Sequence, residues 1–147
     1  MDRPFEILLV DDNVMDLRLM REALRELGLN HHLQVAGDGR QAIEILRVAD
    51  TAQGAPRPDL VLLDLNMPLS DGREVLTTIK SDPGLSTIPV VMLSSSREKR
   101  DVMDCYRLHA NSYLVKPQYF ADYISLLRST CDYWMAKVEL PSRLAAV

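Results

Sequence analysis

The chain has 147 residues, of which 47% are hydrophobic and 26% charged, and its formal net charge is −4. This length and composition are typical of one globular domain that needs no metal or disulfide for stability. The negative charge disfavours contact with a phosphate backbone, so we do not expect nucleic-acid binding. No apolar run approaches the ~18 residues of a membrane span, and no signal-peptide pattern precedes the first apolar run. A cytoplasmic protein without a membrane segment is therefore expected.

Five apolar runs alternate with segments long enough to form helices. Residues 5–10, 60–63 and 89–93 are nearly continuous apolar runs, which are typical of strands buried on both faces. Residues 32–36 and 112–115 are weaker strand candidates. Right-handed crossovers between parallel strands place helices on both faces of a sheet. The alternation therefore predicts an α/β fold with a doubly wound, five-stranded parallel (βα)5 sheet.

The helices are predicted from apolar side chains at three- and four-residue steps. The most regular helix comes first, and its apolar residues are Val14, Leu17, Met20, Leu24 and Leu27. Asn13 can cap the start of this helix and Gly28 can end it. The next three helices are predicted in residues 42–49, around residues 75–79, and in residues 98–109.

Polar side chains follow four of the predicted strands. They are Asp11 and Asp12 after the first strand, Asp64 after the third, Ser94 after the fourth and Lys116 after the fifth. Ligands of open parallel sheets bind outside the carboxyl ends of the strands. A single aspartate at such a position is more often a helix cap or a turn residue. The joint placement of five polar groups instead favours a functional site.

Three carboxylates at one edge of a sheet repel one another, by roughly 4 kcal/mol for a pair about 4 Å apart at an effective dielectric constant near 20. A divalent cation and Lys116 are the available sources of positive charge. The proposed ligands are hard oxygen atoms, with no cysteine or histidine among them, which favours Mg²⁺ over Zn²⁺. We therefore predict a magnesium site that includes Asp11, Asp12 and Asp64.

Four sequence segments carry a family resemblance. They are LVDD at residues 9–12, LDLNMP at residues 63–68 followed by Asp71-Gly72, Leu93-Ser94, and YLVKP at residues 113–117. These segments and their order resemble the signature segments of response-regulator receiver domains, the CheY-like superfamily. The resemblance covers residues 5 to 137 and implies the flavodoxin-like receiver fold, with strand order 2-1-3-4-5.

The resemblance implies a phosphoacceptor signalling protein, a two-component response regulator, rather than an enzyme. Asp64 would take a phosphoryl group from a phosphohistidine of a sensor histidine kinase. Asp12, Asp64 and the backbone carbonyl of Asn66 would hold Mg²⁺, while Asp11 would act directly or through a bound water. Lys116 would pair with phosphoryl oxygens, so the chain would assist its own phosphotransfer and dephosphorylation.

The same resemblance assigns a conformational switch. Ser94 would hydrogen-bond the phosphoryl group, and Tyr113 would turn into the space that Ser94 vacates, altering the surface of the fourth helix, fifth strand and fifth helix. The alternative role of Tyr113 is that of a half-buried strand aromatic. The bond from Lys116 to Pro117 is a candidate cis peptide, with an ordinary extended turn as the alternative.

The fifth predicted helix begins at Phe120 and has two adjacent apolar stripes. The stripe assigned to the core contains Phe120, Ile124, Leu127, Cys131, Trp134 and Val138. The second stripe contains Tyr119, Tyr123, Leu126, Thr130 and Tyr133. One core contact needs an apolar arc of only ~100°, so the second stripe predicts a homodimer contact. The alternative is that its tyrosines cover the edge of the domain.

We divide the chain into a receiver domain, residues 4–138, and a C-terminal tail, residues 139–147, whose apolar residues could reach across a dimer. The tail, the Tyr133-Trp134 pair and the loop at residues 51–58 resemble single-domain regulators that partner phytochrome-type histidine kinases. A phytochrome light-signalling phosphorelay is therefore expected. The alternative is a general phosphorelay intermediate, or a phosphate sink for another kinase.

Three other classes of protein fit the sequence less well. Haloacid-dehalogenase-type phosphatases have their nucleophile in a D-x-D motif on the first strand, whereas here the acidic pair comes first and Asp64 is followed by Asn66. A flavin-binding protein needs a phosphate-cradling loop after the first strand, where Asp11 and Asp12 would repel a phosphate. A degenerate receiver would be expected to lack Asp64 or Lys116.

Overall fold

The computed structural model describes residues 3–144 of the chain. Its strands are β1 (Phe5–Val10), β2 (His31–Ala36), β3 (Leu60–Leu63), β4 (Asn66–Met67), β5 (Ser70–Asp71), β6 (Val90–Ser94) and β7 (Ser112–Val115). Its helices are α1 (Val14–Leu27), α2 (Gly39–Arg47), α3 (Gly72–Ser81), α4 (Lys99–Arg107) and α5 (Phe120–Cys131). A π-helical segment, Asp132–Lys137, extends α5, and Pro141–Arg143 form a 3₁₀ turn. None of the helices within residues 3–144 is long and apolar enough to cross a membrane.

Five strands form one sheet in the order β2-β1-β3-β6-β7, and all of its neighbouring strands are parallel. The two-residue strands β4 and β5 pair with each other as a small antiparallel hairpin before α3. When this hairpin is left out, the strand order is the predicted 2-1-3-4-5. The prediction of a doubly wound, parallel five-stranded fold is therefore confirmed.

The sheet has a hydrophobic core on each face, because successive residues of a strand point to opposite sides. In β1, Leu8 and Val10 belong to the core that also contains residues of α2, α3 and α4. Ile7 and Leu9 belong to the core that contains residues of α1 and α5. Each of these four side chains is at most 2% exposed. Burial on both faces explains the nearly continuous apolar runs in the sequence.

Side-chain caps start α1 and α2 close to the carboxyl edge of the sheet. Asn13 accepts a hydrogen bond from the amide of Asp16 (3.0 Å), and Gly28, with φ of 66°, ends α1 in the left-handed region, as predicted. Asp38 likewise accepts a hydrogen bond of 2.8 Å from a backbone amide of α2. Because of this cap, α2 begins three residues earlier than its apolar spacing indicates.

Gly72, the first residue of α3, lies against the strand end that carries Asp64. The amide of Gly72 donates to the carbonyl of Leu65 (2.8 Å), and Asp71 caps the helix by accepting a hydrogen bond from the amide of Arg73 (2.9 Å). A Cβ atom at residue 72 would overlap the carbonyl oxygen of Asp64. Glycine therefore allows α3 to start directly beside the site.

The predicted division of α5 into a core stripe and a partner stripe is only partly right, because its buried residues come from both stripes. The buried residues of this helix are Tyr123, Leu127, Thr130 and Cys131. Tyr123 and Thr130 come from the predicted partner stripe, whereas Phe120 of the core stripe is 37% exposed. Because both stripes are apolar, their spacing in the sequence does not determine which face of the helix points to the core. Tyr119 and Tyr133 of the second stripe remain exposed.

The segment after the π-helical turn lies against the amino-terminal edge of the sheet. Leu140 is 5% exposed and packs in the core with α1 and α5. Arg143 donates from Nε to Oδ1 of Asp59 (3.0 Å) and from Nη2 to the carbonyl of Pro4 (2.9 Å). Asp59 directly precedes β3 and is fully buried. Within this single chain, residues 139–144 of the tail contact their own domain, whereas residues 145–147 lie outside the described residues. A tail that crosses to a dimer partner stays a prediction.

Candidate functional site

Three aspartates meet at the carboxyl edge of the sheet. Val10 of β1 is paired with Leu63 of β3, so the residues that follow them leave the sheet side by side. The amide of Asp64 donates to the carbonyl of Val10 (2.9 Å). Asp11, Asp12 and Asp64 each offer a carboxylate oxygen, and these three atoms lie within 4.8 Å of one another. Asp11 and Asp64 are buried, whereas Asp12 is open to solvent.

This set of donors fits a divalent cation. All three side chains offer hard carboxylate oxygens, which bind Mg²⁺ or Mn²⁺ better than softer metals. The exposure of Asp12 leaves a route from solvent to the cluster, and Asn66 lines the same cleft as Asp12 and Asp64. Asn66, whose backbone carbonyl is the fourth predicted metal ligand, therefore lies in the same cleft as the acidic cluster.

Lys116 joins this cluster to α1. Its amide donates to the carbonyl of Ser94 (2.7 Å), which fixes the backbone just after β7. Its Nζ donates to Oδ2 of Asp11 (2.8 Å) and to Oδ2 of Asp16 (2.7 Å), and lies 3.5 Å from Oδ1 of Asp64. Burial alone would lower the pKa of Lys116, but its hydrogen bonds to the two aspartates hold this pKa above its ordinary value. The site therefore contains a permanent positive charge beside Asp64.

Asp64 is a carboxyl group whose charged form is disfavoured by burial. Burial raises the pKa of Asp64 to about 6, against the opposing charge of Lys116, and the nearby charge of Asp11 adds to the rise. A carboxylate must be ionised to act as a nucleophile. A divalent cation held by the cluster would favour that ionised form.

Ser94 and Tyr113 both contact the loop between β6 and α4. The Oγ atom of Ser94, a fully buried residue, accepts a hydrogen bond from the amide of Ser96 (3.1 Å). The hydroxyl of the half-buried Tyr113 donates to the carbonyl of Ser96 (2.9 Å). The two predicted switch residues are therefore attached to the same loop residue, so displacement of this loop would disturb both contacts.

Lys116 reaches the site without a cis peptide bond. The bond between Lys116 and Pro117 is trans, as are the other peptide bonds within residues 3–144. The candidate cis peptide is therefore wrong. The backbone hydrogen bond to Ser94 and the carboxylates around Nζ already direct the lysine into the site.

Asp16 is the site residue that the sequence interpretation missed. Besides its contact with Lys116, it lies in the first turn of α1, where its amide is bound by Asn13. An acidic residue in a first helical turn is ordinarily explained by the helix dipole. In the sequence, the short distance of Asp16 from the Asp11-Asp12 pair was the one sign that it also faces the carboxyl edge of the sheet.

The chain is similar to known response regulators in both sequence and structure. The family model for the response regulator receiver domain matches residues 7–128. The response regulator Rcp1 of Synechocystis sp. is 41% identical over 139 residues, which make up 95% of this chain and 95% of Rcp1.

Two solved structures share this fold closely. The crystal structure of the phosphorylated cyanobacterial phytochrome response regulator RcpA matches with a TM-score of 0.86 and 41% identity, over 94% of this chain and 99% of RcpA. The Mn²⁺-bound form of Rcp1 matches with a TM-score of 0.84 and 41% identity, over 94% of this chain and 99% of that chain. With its parallel sheet, its three strand-end aspartates and its buried lysine, this chain belongs to the response regulator receiver domain family.

Proposed function

We propose that Asp64 accepts a phosphoryl group from a phosphohistidine of a sensor histidine kinase, and that the chain thereby acts as a two-component response regulator. The observation that carries the proposal is the pairing of a buried carboxylate with a buried ammonium, 3.5 Å apart, beside two further carboxylates. Phosphoryl transfer depends mainly on positioning and charge neutralisation, which this arrangement offers.

The chemical step needs few groups from the chain. An oxygen of Asp64 attacks the phosphorus atom and forms a P–O bond, while the P–N bond breaks and its electron pair returns to the imidazole nitrogen. Lys116 and the hydroxyl of Ser94 would donate hydrogen bonds to the phosphoryl oxygens. In dephosphorylation, a water oxygen forms a bond to phosphorus while the P–O bond to Asp64 breaks, so Asp64 returns to a carboxylate and inorganic phosphate leaves with the protons of the water. The chain thus assists its own phosphotransfer and dephosphorylation.

Mg²⁺ is the cofactor that we propose for this reaction. Asp11, Asp12, Asp64 and the carbonyl of Asn66 would hold it, and when bound it supplies positive charge next to the transferring group. Support comes from the hard oxygen donors and from the Mn²⁺-bound form of Rcp1. Mg²⁺ also retains coordination positions for phosphate oxygens.

A phytochrome-type histidine kinase is the proposed partner. Support comes from the 41% identity, over nearly the whole chain, to a phosphorylated cyanobacterial phytochrome response regulator. Because histidine kinases use ATP, the expected location is the cytoplasm. The alternative function, a phosphorelay intermediate or phosphate sink for another kinase, predicts equally fast phosphotransfer from unrelated kinases. Parallel transfer assays with a phytochrome kinase and an unrelated kinase distinguish the two.

We further propose that phosphorylation acts through Ser94 and Tyr113 on the surface of α4, β7 and α5. We also propose that this surface and the tail form a homodimer. Support comes from a groove between β7 and α5 that contains Leu126, Tyr133 and Trp134, and from the 53% exposure of Tyr133. Sedimentation of the unmodified and phosphorylated chain tests the dimer. A monomer in both states at high concentration would rule it out.

Intact mass spectrometry tests the phosphoacceptor directly. With acetyl phosphate and Mg²⁺, the wild-type mass should rise by one phosphoryl group. Asp64→Asn should show no rise, because an amide cannot form the acyl phosphate. Uptake of phosphate by this variant at wild-type level would place the acceptor elsewhere and defeat the proposal.

A further inference from the structure

The two hydrogen bonds of the Lys116 ammonium go to Asp11 and Asp16, and not to the proposed phosphoacceptor. The Nζ atom is 2.8 Å from Asp11 and 2.7 Å from Asp16, whereas Asp64 is 3.5 Å away. An ammonium has three N–H donors, so two of them are already engaged. Asp16 therefore holds Lys116 at least as closely as the acidic cluster does.

Asp16 also touches α5 through Tyr123. The hydroxyl of Tyr123 lies 3.4 Å from Oδ1 of Asp16, the oxygen that does not accept from Lys116. Tyr123 is 2% exposed and Asp16 has 22% of its side chain exposed. One carboxylate thus joins the lysine of the site to a buried residue of α5.

Phosphorylation would change the balance of charge around Lys116. Three carboxylates, those of Asp11, Asp16 and Asp64, lie within 3.5 Å of this one ammonium, and Asp12 belongs to the same acidic cluster. A phosphoryl group carries nearly two negative charges and three strong acceptor oxygens. Placed on Asp64, its three oxygens outnumber the one N–H that Asp11 and Asp16 leave free, so it competes with Asp16 for the donors of Lys116.

We propose that Asp16 is a positioning residue that holds Lys116 in the unphosphorylated chain, yields it to the phosphoryl group on Asp64, and transmits that exchange to α5 through Tyr123. This inference rests on the proposed role of Asp64 as phosphoacceptor. It adds a contact between the site and α5 that does not pass through Ser94 or Tyr113.

Binding of beryllofluoride, a phosphoryl mimic, in the presence of Mg²⁺ tests the competition. Asp16→Ala removes the competing acceptor, so the affinity should rise about tenfold. Asp16→Asn keeps a neutral acceptor and should give a smaller rise. Asp122→Asn removes one charge from the exposed first turn of α5 and should change the affinity less than about twofold. An affinity of Asp16→Ala no higher than that of Asp122→Asn would overturn the proposal.

The NMR signals of the Tyr123 ring separate this role from a merely structural one. In the wild-type chain these signals should shift when beryllofluoride is added, and in Asp16→Ala that shift should disappear. Retention of the full Tyr123 shift in Asp16→Ala would contradict the proposal. A wild-type chain that does not bind beryllofluoride would instead defeat the phosphoacceptor role itself.

Discussion

Arg73 in the first turn of α3 is bound to Asp104 of α4, with 3.1 Å between Nε and Oδ2. The same guanidinium donates from Nη2 to Asp101, which also accepts a hydrogen bond from the hydroxyl of Ser96. The Ser96 hydroxyl and Arg73 together lower the pKa of Asp101. Arg73 therefore connects α3 directly to α4 and, through Asp101, to Ser96 of the loop that contacts Ser94.

Loss of this connection should destabilise the chain measurably. Arg73 is 24% exposed, so Arg73→Gln should lower the free energy of unfolding by about 1–2 kcal/mol as two charge-assisted hydrogen bonds are lost. Arg100 is 88% exposed and 3.9 Å from Asp104, so Arg100→Gln should cost less than about 0.5 kcal/mol. Urea unfolding of both variants measures the difference. Equal losses would contradict this account of the α3–α4 contact.

Without divalent cations, stability should fall as pH rises through the pKa of Asp64. Burial raises the pKa of Asp64 from its ordinary 3.8 to about 6, so the folded chain binds this proton more tightly than the unfolded chain. The resulting stabilisation is fully present below about pH 4 and lost above about pH 6, a loss on the order of 3 kcal/mol.

Asp64→Asn should remove this pH dependence. With a chelator present at about pH 7.5, the variant should be more stable than wild type, and the gap should close near pH 4. Urea unfolding at both pH values gives the comparison. If the difference in stability between Asp64→Asn and wild type is the same at both pH values, burial of the Asp64 charge is not its cause.

Divalent cations should stabilise the chain through the acidic cluster. A ligand that binds only the folded state at 100 times its dissociation constant adds about 2.7 kcal/mol. Mg²⁺ should therefore raise the thermal midpoint of the wild-type chain, and Asp12→Asn should reduce this rise strongly because it removes an exposed carboxylate proposed to bind the metal. Asp132→Asn, an exposed residue beyond α5, should respond to Mg²⁺ like wild type. A full Mg²⁺ response in Asp12→Asn would exclude this residue from the metal site.

The contact of Arg143 with Asp59 should matter for stability. Burial favours the neutral form of Asp59, but hydrogen bonds from Arg143, Ser142 and the amide of Glu6 outweigh it and lower the pKa of Asp59. Arg143→Ala leaves this buried carboxylate with fewer partners and should cost about 1–3 kcal/mol. Arg128→Ala, an exposed residue of α5, is the control and should cost little.

The same variant tests whether the tail crosses to a second chain. If Arg143 binds Asp59 of its own chain, the loss in unfolding free energy should not depend on protein concentration. A loss that grows with concentration would instead place the tail on a dimer partner.

The strand-end residues were predictable because parallel strands in register end at a common edge. Asp11 and Asp64 follow residues that are hydrogen-bonded neighbours in β1 and β3, so the apolar runs alone indicated their proximity. Asp16 could not be assigned in this way. Its role depends on the rotation of the first turn of α1 and on the path of the long Lys116 side chain, neither of which follows from apolar spacing.

Other features depended on contacts that are distant in sequence or too short to be periodic. The hairpin of β4 and β5 has two residues in each strand, too few to show alternation. Asp59 and Arg143 are 84 residues apart, and nothing local indicates their pairing. Two neighbouring faces of α5 are equally apolar in the sequence. Only the packing of Tyr123 and Leu127 determines which side of this helix faces the core.

The amino-terminal edge of the sheet brings the two ends of the described chain together. Arg3 donates from Nη2 to the carbonyl of Ser142 (2.9 Å), next to the contact between Arg143 and Pro4. The six residues of β1 span about 20 Å, so this place is far from Asp64. A short linker could join residues 3 and 144 in a circular permutant, and a fluorophore fused at either end would stay clear of a kinase docked at the opposite edge.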